Sequence, residues 1–220
     1  MRSTKIKICG LTCEEDVDIV NAALPDFAGM VLFFPKSRRN ISLERAERLL
    51  RGLKMSGVAV TVSPTVEQVS EIAEAGFTLI QIHGVFDMEI LKLRCIESGK
   101  LRIIRAINSI NEESLKEIEY LRDRDEVSMY LFDAAEPGSG KSFDWNSIPD
   151  EKVLCKPFVL AGGLRPETVA EAISRVHPFA VDVSSGVEKD ELPSMEAVES
   201  GESMKSRDKI LSFIHNVDII

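Results

Sequence analysis

The sequence is short of paired cysteines, of long apolar runs and of positive charge, and each shortage excludes a class of protein. Its four cysteines, Cys9, Cys13, Cys95 and Cys155, have no CxxC spacing, so neither a zinc site nor a disulfide framework is expected. No apolar run approaches the roughly 20 residues of a membrane span, and the first residues lack the apolar core of a signal peptide. Lysine and arginine total 27 against 36 acidic residues, which argues against binding to nucleic acid or an anionic membrane. We therefore expect a cytoplasmic protein whose partners are neither nucleic acids nor membranes.

What the sequence does contain is a regular alternation of short apolar runs and amphipathic stretches. The 220 residues are 44% apolar and 29% charged, which is typical of a soluble globular protein with a sizeable core. The apolar runs are continuous, as expected of parallel strands that are buried on both faces. Eight of them predict strands: Lys5–Cys9, Ala28–Phe33, Gly57–Val62, Leu79–Ile82, Leu101–Ile104, Ser128–Phe132, Phe158–Leu160 and Phe179–Val183.

Helical patterns lie between the predicted strands, with apolar residues at helical spacing and several capping signals. The predicted helices are Glu14–Ala23, one begun by Ser42, Thr65–Ala75, Asp87–Ser98, Asn111–Arg124, one around Trp145–Ile148, Pro166–Val176 and Arg207–Asn216. Eight strand–helix units at a spacing of roughly 25 residues predict an α/β fold, the closed (β/α)8 or TIM barrel. The first predicted strand is not followed by a GxGxxG turn, which argues against a Rossmann fold.

One acidic segment departs from this repeat. Residues 187–203 contain six acidic residues together with Pro193 and Gly201. The segment is open to three interpretations: a long loop, a short extra helix or a partly disordered tract. We favour a mobile loop near the mouth of the site, inserted into a single barrel domain that spans residues 1–220.

Two glycine-bearing turns near the C-terminal end of the chain predict a phosphate site. Gly162 and Gly163 follow the seventh predicted strand, and Ser184, Ser185 and Gly186 follow the eighth. Backbone N–H groups in such turns, with serine hydroxyls beside them, bind an anion without any lysine or arginine. Barrels of this kind often bind phosphate after these two strands. The alternative is two ordinary strand-to-helix turns, but the two turns together favour a phosphorylated small-molecule ligand.

Cys9 and Asp133 are candidates for a base and an acid because they end the first and sixth predicted strands, where such barrels carry their chemistry. A thiolate accepts a carbon-bound proton well if its pKa falls towards neutrality, and a cation such as Lys7 or Arg39 would favour that fall. The alternatives are an inert buried thiol for Cys9 and a loop or capping carboxylate for Asp133.

Arg39 and His83 are further candidates for contacts with a ligand. Arg39 ends a positive run, residues 36–39, within an acidic protein, and its guanidinium fork can bind a planar carboxylate through two hydrogen bonds. A solvated loop is an equal alternative for that run. His83, at the end of the fourth predicted strand, is a candidate for orienting a substrate group, although a lone histidine there is more often structural.

Six motifs, in order along nearly the whole chain, resemble those of the phosphoribosylanthranilate isomerase family. Each motif alone is moderately specific, whereas six in the right order are highly specific. They are Lys7–Thr12, Phe34–Ser42, Ile80–Gly84, Phe132-Asp133 with Gly138–Trp145, Ala161–Leu164 and Val181–Glu188.

The resemblance implies an Amadori rearrangement of N-(5′-phosphoribosyl)anthranilate in tryptophan biosynthesis, without metal or cofactor. By matching position, Asp133 would be the general acid that protonates the furanose ring oxygen, and Cys9 the general base that removes the C2′ proton. Arg39 would hold the anthranilate carboxylate, and Asp182 would contact the sugar hydroxyls. The phosphate would be held by Gly162, Gly163, Ser184, Ser185 and Gly186. The oligomeric state stays open between a monomer and a homodimer.

The chain departs from the family pattern at two places, and two other functions stay open. Gly57–Thr61 lacks the family's bulky aromatic residue and terminal amide, and Arg207-Asp208 matches its usual Lys-Asp only loosely. One alternative is the related isomerase of histidine biosynthesis or a dual-specificity relative. That isomerase usually uses two aspartates, so Cys9 argues against it. The other alternative is a barrel that binds a phosphorylated metabolite without turnover, against which the pair Cys9 and Asp133 argues.

Overall fold

The computed structural model of the protein describes residues 3–133 and 147–220, in which parallel strands alternate with helices. The strands are β1 (Lys5–Cys9), β2 (Phe27–Leu32), β3 (Asn40–Ile41), β4 (Ser56–Val62), β5 (Leu79–His83), β6 (Arg102–Ile107), β7 (Val127–Asp133), β8 (Phe158–Ala161) and β9 (Ala180–Val183). The α-helices are α1 (Glu14–Ala23), α2 (Leu43–Gly52), α3 (Val66–Glu74), α4 (Arg94–Glu97), α5 (Glu112–Leu121), α6 (Glu151–Leu154), α7 (Pro166–Val176), α8 (Met195–Glu199) and α9 (Arg207–Asp218). Within the described ranges, no helix is long and apolar enough to cross a membrane.

The sheet closes on itself because β1 pairs in parallel with both β2 and β9. Eight strands form the closed barrel, and the two-residue β3 pairs with the outer end of β2. The predicted (β/α)8 barrel is therefore confirmed. The predicted strand ends agree with the observed ones to within one residue, except that β6 runs on to Ile107.

Two layers of apolar side chains follow from the period-two alternation of the strands. One cluster fills the inside of the barrel and includes Cys9, Val58, Val60, Leu131 and Ala180. The other lies between the sheet and the surrounding helices and draws on the alternate strand residues. Because both faces of the strands are largely buried, most strand residues are apolar, which is the pattern that predicts them.

Most helices agree with the prediction to within three residues at either end, and the fourth and sixth units differ from it. The bounds of α1 and α7 are those predicted, and the Ser42 side chain caps α2 by accepting a hydrogen bond from the Arg45 backbone N–H. The predicted helix Asp87–Ser98 is instead a 3₁₀ turn, Met88–Lys92, followed by α4. The extended backbone of Leu93 (φ −68°, ψ 133°) separates the two pieces. The apolar residues of segment 87–98 do not lie on one side of a single helix. The break at Leu93 lets each piece turn its own apolar side inward.

Two predicted features lie outside the described residues in whole or in part. The helix predicted around Trp145–Ile148 falls partly outside them, and the structure has α6 a few residues later. The motif Gly138–Trp145 lies entirely outside them.

The acidic segment 187–203 contains the short extra helix that was one of its three interpretations, α8. Several contacts hold the segment against the barrel. The Arg38 guanidinium donates to the Pro193 carbonyl at 2.9 Å, and the Arg45 guanidinium donates to the Glu199 carbonyl at 3.0 Å. The segment thus lies over the loop that carries Arg39.

Candidate active site

The candidate residues on strands all belong to the inward-facing set. Cys9 is itself part of the interior cluster, Asp133 follows Leu131 by two positions, and Asp182 follows Ala180 by two. His83 lies two positions after Gln81 and four positions after Leu79, and Leu79 packs against the interior cluster. Since side chains alternate along a strand, these four polar groups point to the inside at the carboxyl ends of their strands. The structure thus brings together residues that are far apart in the sequence.

Cys9 lies beside a buried lysine on its own strand. The thiol is 7% exposed and Lys7 is 1% exposed. A Cβ built on Gly29, the register partner of Cys9, would lie 2.8 Å from Cys9 Sγ and 3.0 Å from Lys7 Nζ. Burial raises the pKa of the Cys9 thiol, and the positive charge of Lys7 partly opposes this rise. The thiol is therefore protonated at neutral pH in the free protein, and the condition for an active thiolate is not met without ligand.

Lys7 also binds Asp182, its register partner on β9. Its ammonium nitrogen lies 3.0 Å and 3.1 Å from the two carboxylate oxygens of Asp182. The Lys7 ammonium thus binds the Asp182 carboxylate and also lies near the Cys9 thiol. Asp182, which the family resemblance assigns to the sugar hydroxyls, has a buried cation as its partner in this structure.

Arg39 forms a two-bond ion pair with Glu188. Arg39 Nε and Nη2 lie 2.6 Å and 2.8 Å from the two carboxylate oxygens. Lys205 Nζ lies 3.3 Å from one of these oxygens and donates to the Ser184 carbonyl at 3.1 Å. Burial raises the pKa of Glu188, but the hydrogen bond from Arg39 and the charge of Lys205 outweigh this, and the resulting pKa lies below the usual range. Glu188 is therefore an anion between two cations.

His83 is an uncharged imidazole at physiological pH. Burial lowers its pKa to about 4, and the positive charge of Lys7 acts in the same direction. Its Nε2 lies 2.6 Å from Gln81 Nε2, two residues earlier on β5. A neutral ring in this position can donate or accept a hydrogen bond without adding charge to the site.

The two glycine-bearing turns pack against each other. Gly162 and Gly163 have φ values of 89° and 68°, in the left-handed region that favours glycine. A Cβ on Gly186 would lie 2.0 Å from the Leu164 carbonyl oxygen, so any side chain there would separate the turns. The hydroxyl of Ser184 is buried and forms no hydrogen bond within residues 3–133 and 147–220. The predicted phosphate residues thus lie together at one rim of the barrel, next to β1.

Sequence reasoning missed Glu188 and Lys205 as site residues. Glu188 is one of six acidic residues in its segment, and although it ends the family motif Val181–Glu188, that motif was assigned to the phosphate and not to Arg39. Lys205 is 1% exposed, whereas Arg207, which was matched to the family's basic residue, is exposed at the start of α9. One feature of the sequence does point to Lys205: it stands directly before Ser206, the residue that caps the start of α9.

The family departure on β4 concerns packing and not the ligand. Val58 and Val60 face the interior, so Ala59 and Thr61 face the helices. Thr61 is buried, and its hydroxyl donates to the Gln81 carbonyl at 3.1 Å. Among the residues that the structure describes, no cluster of histidine, cysteine or carboxylate side chains is arranged to hold a metal ion.

Known proteins of one family resemble this chain over most of its length. The family described as N-(5′phosphoribosyl)anthranilate (PRA) isomerase matches residues 6–215. The N-(5′-phosphoribosyl)anthranilate isomerase of Streptococcus gordonii is 38% identical over 198 residues, which are 89% of this chain and 94% of that protein. The enzyme of the same name from Acetivibrio thermocellus is 37% identical over 207 residues, 89% of this chain and 92% of that protein.

Solved structures of such isomerases have the same fold over nearly the full length. The phosphoribosyl anthranilate isomerase of Thermotoga maritima superposes with a TM-score of 0.79 at 34% identity, covering 99% of this chain and 100% of that one. A further structure, of an isomerase in complex with reduced 1-(o-carboxyphenylamino)-1-deoxyribulose 5-phosphate, gives a TM-score of 0.77 at 32% identity with the same coverage. Another Thermotoga maritima structure, at 31% identity, a TM-score of 0.77 and the same coverage, is of monomers made from a dimeric isomerase. The chain belongs to the N-(5′-phosphoribosyl)anthranilate isomerase family.

Proposed function

We propose that this barrel converts N-(5′-phosphoribosyl)anthranilate into 1-(2-carboxyphenylamino)-1-deoxyribulose 5-phosphate, with Cys9 as general base and Asp133 as general acid. The observation that carries these roles is geometric. Both residues end strands of one barrel, with their side chains facing inward. The packed glycine turns lie at the same rim, after β8 and β9. One ligand can then contact the anion-binding turns and both strand ends at once.

The substrate's two anionic ends are matched by two different kinds of receptor. The phosphate is bound by backbone N–H groups of the turns at Gly162, Gly163 and Gly186, with the hydroxyls of Ser184 and Ser185 beside them. The anthranilate carboxylate is bound by Arg39, whose planar fork suits a carboxylate. His83 and Asp182 line the space between and bind the sugar.

The chemistry begins with protonated Asp133 and the Cys9 thiolate; relative to ionised Asp133 with a neutral thiol, one proton has moved from Cys9 to Asp133. Asp133 gives its proton to the furanose ring oxygen, the C1′–O bond breaks, and a protonated Schiff base forms. This cation stabilises the nearby thiolate and acidifies the C2′ proton. The Cys9 thiolate takes that proton, the C–H electron pair forms the C1′–C2′ double bond, and the enolamine tautomerises to the ketone product.

Lys7 supports the thiolate during this step. Its ammonium lies beside the thiol, and a nearby positive charge favours the charged form of a cysteine. We propose the cytoplasm as the location, and a monomer or a homodimer as the form that acts. The histidine-pathway reaction is not favoured, since β1 ends in Cys9 and not in an aspartate.

Loss of anthranilate-derivative fluorescence, with the substrate generated in situ, tests the reaction. Wild-type protein should consume the substrate, and Cys9→Ala and Asp133→Asn should reduce turnover by about 10²-fold or more. Cys95→Ala, a half-buried cysteine on α4, is the matched control and should leave turnover unchanged.

Binding of the reduced product analogue separates a lost catalytic group from a lost fold. Both catalytic variants should bind it with nearly the wild-type affinity. Near-normal turnover in either variant would exclude the assigned role.

A further inference from the structure

Among residues 3–133 and 147–220, the guanidinium of Arg39 is held along one edge, by Glu188. Glu188 binds Nε and Nη2 in the side-on arrangement of an arginine–carboxylate pair. A guanidinium has five N–H donors in one plane, so the edge formed by Nη1 and Nη2 keeps donors for a second carboxylate. Arg39 can therefore bind Glu188 and a ligand carboxylate at the same time.

The Arg39 side chain crosses the end of the strand that carries Cys9. A Cβ built on Gly10, the next residue, would lie 2.5 Å from Arg39 Cδ and 3.0 Å from Ser184 Oγ. That hydroxyl is buried and has no hydrogen-bond partner in the described part of the chain. The Arg39 side chain and this unused hydroxyl thus both lie against the end of β1, directly after Cys9.

Glu188 is fixed by its backbone as well as by its side chain. It is 4% exposed and forms an antiparallel bridge with Lys205, whose ammonium binds the same carboxylate. Backbone hydrogen bonds from Lys189 to Met204, at 2.8 Å, and from Ser206 to Val187, at 2.9 Å, flank this bridge. The two ends of the acidic segment are therefore tied together directly beside Arg39.

The ion pairs around Glu188 combine two cations, Arg39 and Lys205, with one anion. Lys7 and Asp182 balance each other, and the buried Asp16 on α1 adds a negative charge that acts on Lys205. The groups are largely buried, so solvent ions screen them weakly. Removing the charge of Glu188 raises the net charge around Arg39 by one, and a dianion gains more from this change than a monoanion.

We infer that Glu188 is a specificity-determining residue: by neutralising one of two buried cations, it makes the Arg39 receptor a site for one carboxylate and disfavours a second phosphate group. The inference rests on the proposed role of Arg39 in holding the substrate carboxylate. It assigns to the acidic segment a function in substrate choice, in addition to covering the Arg39 loop.

Three ligands test this inference: the reduced product analogue with its carboxylate, the same compound with a phosphonate in that position, and the same compound with neither acid. Their dissociation constants are measured by calorimetry at pH 8. The proteins are the wild type, Glu188→Gln, the double variant Glu188→Gln with Lys205→Gln, and Glu191→Gln. Glu191 is exposed on the same segment and serves as the matched control.

We expect Glu188→Gln to shift the carboxylate-to-phosphonate affinity ratio towards the phosphonate by about tenfold, since the net charge around Arg39 rises by one. The double variant returns the net charge to that of the wild type and should restore the wild-type ratio, while Glu191→Gln should not change it. An unchanged ratio in Glu188→Gln, or no restoration in the double variant, would overturn the inference.

A further variant and the third ligand keep the test decisive. If Glu188→Gln does not fold, Lys205→Gln carries the test, because it lowers the net charge by one and its preference for carboxylate over phosphonate must increase; an unchanged preference would overturn the inference. Equal wild-type affinity for the carboxylate compound and the compound with neither acid would instead refute the proposed role of Arg39. Failure of the proposed function is thus distinguishable from failure of this inference.

Discussion

Replacing Lys7 with methionine removes a buried cation that faces the Cys9 thiol while keeping an unbranched side chain of similar length. Lys7 Nζ and Cys9 Sγ lie 3.0 Å and 2.8 Å from the same point, the Cβ position of Gly29. Their separation therefore cannot exceed about 6 Å. At about 6 Å and an effective dielectric constant of about 20, one unit charge is worth about 3 kcal/mol, or about two pKa units.

The sign of the effect follows from the groups that face the thiol. Burial raises the pKa of Cys9, Lys7 and Lys205 lower it, and Asp182 raises it. Removing Lys7 therefore raises the thiol pKa further. The reactive form pairs the thiolate with protonated Asp133, the reverse of the resting protonation, so the thiol pKa sets the basic limb of the pH profile of kcat/KM. In Lys7→Met that limb should move up by about two pH units, and the plateau of kcat/KM should fall by about 100-fold.

Two controls accompany this measurement. Lys7→Arg keeps the charge, and its basic limb should stay near that of the wild type. Lys5→Met removes a lysine from the same strand whose partner is Asp26, at 2.7 Å, and should not move the limb. The pH dependence of Cys9 alkylation by iodoacetamide, followed on the Cys9 peptide by mass spectrometry, gives the same pKa without turnover. Coincident profiles for wild type and a folded Lys7→Met would refute the electrostatic reasoning.

Three further predictions concern the carboxylate receptor, the phosphate turns and pH-dependent stability. Arg39→Ala should raise KM by about 30-fold, for a charge-assisted contact worth about 2 kcal/mol, with a smaller effect on kcat; steady-state fluorescence kinetics measure both, and an unchanged KM would exclude the role. Gly186→Ala places a Cβ 2.0 Å from the Leu164 carbonyl oxygen and should abolish inhibition by inorganic phosphate. Gly163→Ala, whose Cβ meets nothing within 4 Å, should retain more of this inhibition. Equal inhibition of both variants would contradict the packing of the turns. The pKa of His83 is lowered from 6.5 to about 4, so on acidification the unfolded chain takes up a proton before the folded protein does. The free energy of unfolding should therefore fall by about 3 kcal/mol as the pH decreases from 6.5 to about 4. Urea titrations should show a smaller fall in His83→Asn, and an equal fall would assign the loss to other groups.

The barrel can be predicted from the sequence because its strands have no polar face. Strands such as β4 and β7 must pack against side chains inside the barrel and against helices outside it, so their whole length is apolar. Helix ends can be predicted where a local contact sets them, as with the Ser42 hydroxyl at the start of α2. The break at Leu93 depends on how the fourth unit packs against the barrel, and local spacing carries no such information.

The strand-borne site residues can be located from the sequence because the ends of strands are local features. Cys9, Asp133 and Asp182 each close an apolar run, and the fold then turns their side chains inward. Lys7 gives a similar signal, since it is a charged residue two positions before Cys9 in an otherwise apolar strand.

The partner of Arg39 cannot be located in this way. Glu188 lies 149 residues further along the chain, among other acidic residues of similar surroundings in the sequence. Only the closing of the barrel brings the two together. The lowered pKa of His83 and the raised pKa of Cys9 likewise arise from burial, which depends on the complete fold.

The central claim is that Cys9 removes the C2′ proton, and a kinetic isotope effect tests it most directly. Substrate deuterated at C2′ is compared with unlabelled substrate in the wild type and in Cys9→Ser, whose hydroxyl is a much weaker base. If Cys9 is the base, the residual turnover of Cys9→Ser should be limited by C–H cleavage and should show a primary isotope effect larger than that of the wild type. Equal rates for the two substrates in Cys9→Ser would show that the substitution slows a different step, and would contradict the assignment of Cys9 as the base.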